Sequence, residues 1–310
     1  MTIQQILLGA AAGKVVGQEV LLTDNSSQGT DTWTCPAGVT SVSVVCVGAG
    51  AKGSGYNGGG GGALSYRNNC TVVPGTTYTY EIGIGGGETG SVQGGDSYYQ
   101  GHETYIQFES GTSNYCYANG GTVDNTQDSQ SGCVGGAAPT SAQGDGGGQG
   151  GGGGTSSHGY AGGGGGGAGG YDGKGGTSGY MDGYWSASYH GTTSSQHPQG
   201  KGGGASAGGN RWGGGNGGGG VGLLGEGTSG AAPAGDYSSA GGNLGLANGG
   251  SGGGDGIEQV DGVDTYRRGC EYGGGGGGGL GIGNGGDGAI RIIWPGDERS
   301  FPTTRTADES

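Results

Sequence analysis

Gly162-Gly-Gly-Gly-Gly-Gly167-Ala168-Gly-Gly170-Tyr171-Asp-Gly173-Lys-Gly-Gly176-Thr-Ser-Gly179 is the stretch on which the fold turns. Gly164, Gly167, Gly170, Gly173, Gly176 and Gly179 recur at every third position. A polyproline-II-like helix has three residues per turn, a rise of ~3.1 Å and no internal hydrogen bonds. Its amides and carbonyls point outward and must find partners on neighbouring segments. With no Cβ in the way, two glycine helices can approach until N–H···O bonds form between them. A helix inside such a bundle is expected to be nearly all glycine, which suits Gly162–Gly167 and Gly273–Gly279. A helix at the edge needs glycine only on its inward row. Ala168, Tyr171, Asp172, Lys174, Thr177 and Ser178 are then expected to face outward.

The same texture extends on either side. Of the 310 residues 95 are glycine, against a usual share of ~7%. Seven prolines and unbroken glycine runs exclude the collagen repeat. Apolar residues reach only 29%, too few for one oily core running through the whole chain. Glycine also costs roughly 0.5–1 kcal/mol relative to alanine when fixed in regular structure. The choice lies between a disordered glycine linker and an ordered bundle of polyglycine-II helices. The period-3 row favours the bundle, with a glycine-dominated insert over residues 144–288.

Strand signals lie outside that insert. Trp33-Thr-Cys-Pro-Ala-Gly is followed by a β-branched run to Val47. Both faces of that run are apolar, so it reads as a buried strand. Leu64–Val73 is a second candidate, closed by Pro74-Gly75. Over Thr76–Ile84 strict alternation puts Tyr78, Tyr80, Ile82 and Ile84 on one face and Thr77, Thr79 and Glu81 on the other. Tyr105–Phe108 and Tyr115–Ala118 are short candidates, and Ala289–Trp294 is a strong one. The expected fold is all-β: a small antiparallel β-sandwich from 31–120 and 289–294 holding a polyglycine-II bundle. Helix is expected at most as a short N-terminal piece. Residues 1–30 read as a leader or docking segment, 31–304 as the glycine-rich body and 305–310 as a tail.

Chemistry-bearing motifs are scarce. The net charge of −14 argues against a nucleic-acid partner, which wants clustered Lys and Arg. No run reaches the ~18 apolar residues that a membrane span needs. Met1–Lys14 lacks a basic residue before its short apolar run and so departs from a signal peptide. Gly-x-Gly-x-x-Gly matches occur throughout and carry no phosphate-loop context. His102, His158, His190 and His197 show no metal-ligand spacing, and no carboxylate pair or nucleophile motif stands out. No enzyme activity, cofactor or metal is expected. Cys35, Cys46, Cys70, Cys116, Cys133 and Cys270 include no CxxC pair. Cys46 reads as a small buried hydrophobe. Cys116 and Cys133 are near enough in sequence to bridge.

One glycine-poor stretch interrupts the insert: Tyr180-Met-Asp-Gly-Tyr184-Trp185-Ser-Ala-Ser-Tyr189-His190, continuing to Pro198. It is either a loop capping the bundle end or an aromatic contact surface, since Tyr and Trp dominate binding patches. Tyr180, Tyr184, Trp185, Tyr189 and His190 are the receptor-binding candidates. Trp212, Tyr98-Tyr99 and Tyr237 are weaker ones.

Trp33–Gly50 resembles the opening strand of the glycine-rich domain in phage tail-fibre and virion proteins. Leu64-Ser-Tyr and Val72-Val-Pro-Gly-Thr-Thr-Tyr78 are similar to that family's second strand and turn. Gly286-Asp-Gly-Ala-Ile-Arg-Ile-Ile-Trp294, then Arg299-Ser-Phe-Pro-Thr-Thr304, resembles its closing strand and tail. Related architecture occurs in the distal tail-fibre adhesins of T-even-like phages, where stacked polyglycine helices carry receptor-contacting loops. The resemblance implies a virion structural or adhesion protein. Its expected partners are other virion proteins or copies of itself, and a host surface glycan or protein. Two rivals stand beside it. One is a self-assembling extracellular or appendage protein without receptor binding. The other is an ice-binding protein, against which Tyr171, Asp172 and Lys174 on the exposed rows count.

Overall fold

The β-branched run Ser41-Val-Ser-Val-Val-Cys-Val47 is the central strand of the molecule. In the computed structural model, residues 18–23, 29–87, 99–109, 115–123, 133–155, 162–178, 202–203, 215–228, 230, 251, 268–279 and 282–302 are described. Their strands are β1 (Gln18–Leu22), β2 (Thr30–Thr34), β3 (Ser41–Val47), β4 (Leu64–Thr71), β5 (Thr77–Glu81), β6 (Thr104–Gln107), β7 (Tyr115–Ala118), β8 (Gly146–Gly148) and β9 (Ala289–Trp294). They form two antiparallel sheets, ordered β1-β9-β3-β4-β8 and β2-β5-β6-β7. The two ends of the chain meet as expected: β3 pairs with β9, with Val44 opposite Ile292 and Cys46 opposite Ile290.

Three strands lie where the sequence reading had none, β2 among them, which pairs along β5 from Thr30↔Glu81 to Thr34↔Thr77. The leader contributes β1, which pairs along β9 from Gln18↔Trp294 to Leu22↔Ile290. The glycine region contributes β8, which pairs with Leu64–Tyr66. A three-glycine strand has no side-chain signal to read.

Between the sheets, Val42, Val44, Cys46, Ile290, Ile292 and Trp294 pack against Trp33, Tyr78, Tyr80, Ile106, Phe108 and Cys116. The other face of the five-stranded sheet is also covered: Val45, Val47, Leu64, Ala289 and Ile293 meet Ala168, Tyr171, Val221, Leu223 and Phe301. This double burial is why β3 and β9 are apolar without alternation. Arg291 is buried on the second face and donates to the Leu223 carbonyl at 2.9 Å.

Beyond β3 the chain enters a lattice held by its backbone. Gly48 and Ala51 donate to Ala63 and Gly60; Ala49 and Lys52 donate to His102 and Tyr99; Gly50 and Gly53 donate to Gly286 and Gly283. Successive amides address three neighbours in rotation, and every third residue returns to the same one. A three-residue period is what a segment of three residues per turn would present to its neighbours. Gly58–Ala63 shows the full lattice. It donates to segments around Gly151–Gly154, Gly273–Gly276 and Asn119–Thr122, and accepts from Gly48 and Ala51, from Gly166 and Gly169, and from Gly136. A Cβ added at Gly58, Gly59, Gly60, Gly61 or Gly62 would overlap a neighbour's backbone carbonyl in every case. The lattice therefore starts well before residue 144, and Gly58–Gly62 is an interior segment.

The period-3 row itself is not one straight edge helix. Gly167 donates to Gly176 and Gly170 to Gly173, so the chain folds back at Tyr171-Asp172. Ala168, Tyr171 and Ser178, expected to face outward, are instead buried, the first two in the second core, with the Tyr171 ring 5.9 Å from that of Phe301 at 16°. Only Asp172 of that set is fully exposed. The tight reversal turns Tyr171 back onto the sheet, where its hydroxyl accepts from the Gly225 amide at 3.2 Å.

Candidate functional site

Gly48 and Ala63 adjoin the ends of β3 and β4, so they mark the sandwich end of the lattice. The opposite end is marked by the turn in which Ser54 donates to Asn57 at 2.6 Å. Six residues at ~3.1 Å put that turn about 19 Å from Gly48. Gly163 donates to Tyr56, Gly279 to Ser54 and Gly154 to Gly164, so all of these lie at the far end. Gly153 donates to Cys133, bringing that segment's start alongside. The described segments ending at Thr155 and Gly279, and those resuming at Gly162 and Ile282, thus have those ends at the far end.

The predicted receptor-binding residues Tyr180, Tyr184, Trp185, Tyr189 and His190 lie outside the described residues. Their stems lie within them. From Gly173 the chain runs away from the sandwich, and the Ser178 amide donates to Gly152 at 2.9 Å. It re-enters at Gly202-Gly203, where Gly176 donates to Gly203 at 2.9 Å and Gly203 to Ala168 at 3.0 Å. The described chain therefore stops near the far end at Ser178 and resumes on the lattice flank at Gly202. Tyr98, Trp212 and Tyr237 also lie outside the described residues. Tyr99 is half-buried against Ala51, Val123 and Cys133.

A second aromatic surface was not singled out from the sequence. On the outward face of the four-stranded sheet, Tyr105 is paired with Tyr117 and Gln107 with Tyr115, while Glu81 lies opposite Tyr105. The Tyr105 and Tyr117 rings stack 6.1 Å apart at 15°, and Tyr115 meets Tyr117 edge-on at 6.2 Å and 87°. All three are half-buried. Burial, then the charges of Glu103, Tyr115, Glu81 and Tyr105, push the Tyr117 phenol up to about 12. Burial also raises Tyr105, helped by the charge of Glu81 and the hydrogen bond to its carboxylate. The signal was available: Thr104-Tyr-Ile-Gln107 and Tyr115-Cys-Tyr-Ala118 alternate, and pairing them as a hairpin brings the tyrosines to one face.

Cys35, Cys46, Cys70 and Cys116 share the inter-sheet core, and Cys133 lies in a separate cluster. Cys116 is in the inter-sheet core and Cys133 packs with Ala51 and Val123, so the bridge that their sequence spacing allowed is not formed. Cys46 is fully buried, as a small hydrophobe would be. Among the described residues no group of three or more His, Cys, Asp or Glu could hold a metal ion, and no helix is long and apolar enough to cross a membrane.

A comparison with family models matches residues 25–235 to the glycine-rich domain. The match runs from the approach to β2 through β8 and stops short of β9, although β9 is hydrogen-bonded to β3. No curated protein matches the chain. With most of its length under that model and its glycines packed as a backbone lattice on a two-sheet sandwich, the chain belongs to the glycine-rich domain family.

Proposed function

We propose that this protein is a virion-associated structural and adhesion protein, a component of a tail fibre or comparable surface appendage, and not an enzyme. The sandwich is its base, the glycine lattice is a rigid spacer, and the far-end connections are its contact surface. The observation that carries the reading is the placement of stems: Ser178, Thr155 and Gly279 all lie at the lattice end opposite the sandwich. Glycine helices present no side chains, so recognition must come from the connections they carry. Tyr180, Tyr184, Trp185, Tyr189 and His190 supply rings that stack on a sugar face while their polar tips keep hydrogen bonds. The resemblance of the end motifs to phage tail-fibre domains supports the same reading. Its partners are then other virion proteins or further copies, and a host surface glycan or protein. The test is a Tyr184→Ala/Trp185→Ala double variant. Attachment to host cells should be lost while the thermal melt is unchanged; full attachment with an unchanged melt contradicts the adhesion role.

A specific observation favours a second reading, a self-assembling appendage protein without receptor binding. β1 and β2 are the edges of their sheets and pair on one side only among the described residues. Open edges are templates for strand addition by another copy. Concentration-dependent growth into fibres, with no retention on host cells, would select it.

A further inference from the structure

We propose that Cys46 and Cys116 are the two halves of an inter-sheet disulfide, closed while the chain folds in the presence of a disulfide donor. Cys46 lies on β3 of the five-stranded sheet and Cys116 on β7 of the four-stranded sheet, and both side chains point into the space between. The Cys46 Sγ lies 3.7 Å from the Cys116 carbonyl oxygen. The Cys116 Sγ lies 3.3 Å from the Ser65 carbonyl oxygen and 3.7 Å from its hydroxyl. Ser65 is the cross-strand partner of Cys46. The Cys46 sulfur therefore touches the backbone of Cys116, and the Cys116 sulfur touches the cross-strand partner of Cys46.

Of the other thiols, Cys35 and Cys70 share the inter-sheet core. Cys70 is in register with Val42, four positions along β3 from Cys46 and so about 13 Å away along the strand. Cys35 donates to Val39 outside the strands at 3.4 Å. Cys133 belongs to a separate cluster, and the Cys270 amide donates to Gly218 in the lattice.

Both thiols have no exposed surface. Burial, above all, pushes the Cys46 thiol far up, and the neighbouring Cys116 adds to the shift. The nucleophile in exchange is the thiolate, so the folded dithiol is inert and the reaction belongs to the open chain. One thiolate attacks the donor's S–S bond and expels one reduced donor half. The second attacks the resulting mixed disulfide, expels the other half and forms the Cys46–Cys116 bond. Two protons leave, and two electrons pass to the donor. Oxidised glutathione is sufficient. The bond closes a long loop, Cys46 and Cys116 being 70 residues apart, and fixes the two sheets at their centre.

The test refolds the full chain from denaturant with reduced and oxidised glutathione, and maps its peptides without reduction. The expected result is a cross-linked pair of peptides carrying Cys46 and Cys116, a raised unfolding midpoint, and loss of both on reduction. The same donor added to the folded dithiol should produce no link. A Cys70→Ala variant should keep the cross-link and a Cys46→Ala variant should lose it. Refolded native protein with Cys46 and Cys116 both alkylatable after denaturation would overturn the proposal. So would Cys116 linked mainly to Cys70 or Cys133.

Discussion

The sandwich and the glycine lattice are held by opposite means. In the sandwich, side chains fill the space between sheets, and the backbone pairs only along strand edges. In the lattice, backbones touch, and any side chain is an intruder. Removing atoms damages the first, whereas adding them damages the second. The lattice is also the more demanding of its hydrogen bonds. Fixing a glycine costs roughly 0.5–1 kcal/mol, and a net hydrogen bond contributes about 0.5–1.5 kcal/mol. The two are similar in size, so a glycine lattice holds only if nearly every amide is paired. The rotating three-neighbour pattern of Gly48–Gly53 and Gly58–Ala63 meets that demand. The regions meet where Ala168 and Tyr171, at the lattice's reversal, bury against Val45, Val47 and Ile293.

The largest effect that would test this division is truncation after Gly288. β9 pairs with β1 on one side and β3 on the other and contributes to both cores. Each buried Ile is worth ~1.5–3 kcal/mol, against a total stability of about 5–15 kcal/mol. The truncated chain should lose its cooperative thermal transition and its far-ultraviolet β signal. An unchanged melt would mean that the sandwich does not depend on its closing strand.

Next in size is Gly61→Ala. Gly61 donates to Gly151 at 2.9 Å and accepts from Gly136 at 2.8 Å, and a Cβ there would overlap the Gly167 carbonyl oxygen. Nothing flexible can yield, so the loss should reach about 3 kcal/mol or more in denaturant unfolding. In a linker the residue is unordered in both the folded and the unfolded state, so the same change should leave stability within ~0.5 kcal/mol. The size of the effect therefore separates lattice from linker.

The tyrosine face gives a smaller, pH-dependent effect. The Tyr117 phenol is held up at about 12, while an unfolded tyrosine ionises near ~10. The unfolded chain therefore loses its proton first as pH rises. Stability contributed by this group is fully present below pH ~10 and falls as pH approaches 12. Replacing Tyr117 with Phe should flatten that part of the stability profile; an unaltered slope would remove Tyr117 as its cause.

The smallest effect is expected at Gly55→Ala. No atom lies within 4 Å of a Cβ built there, so the change should stay within ~0.5 kcal/mol. A large loss at Gly55 would show that glycine is needed at the far-end turn for a reason other than close packing.

Much of the sandwich was legible because its strands carry side-chain patterns. The alternation of Tyr78, Tyr80, Ile82 and Ile84 and the non-alternating Val42–Val47 are both observed as burial. The lattice was legible as a period but not as a path. Glycine carries no face, so the sequence could not say where the chain reverses. Hence the turn at Tyr171-Asp172 and the strand at Gly146–Gly148 were missed. β1 was hidden for another reason: Gln18-Glu-Val-Leu-Leu22 shows no apolar alternation, and only its pairing with β9 makes it a strand. The surface of Tyr105, Tyr115 and Tyr117 required knowledge of which strands pair. The candidate residues of 180–190 are tied to the structure only through their stems at Ser178 and Gly202.

The central claim is that the glycine region is an ordered, hydrogen-bonded lattice. Amide hydrogen exchange resolved to the glycine runs tests it most directly. Gly163, Gly165, Gly166, Gly167, Gly275, Gly276 and Gly278 all donate to backbone carbonyls on other segments. Their amides should exchange as slowly as those of β3 and β9, protected by the same cooperative unfolding. Exchange at the free-peptide rate throughout both runs, with β3 and β9 still protected, would contradict the lattice and leave the sandwich standing alone.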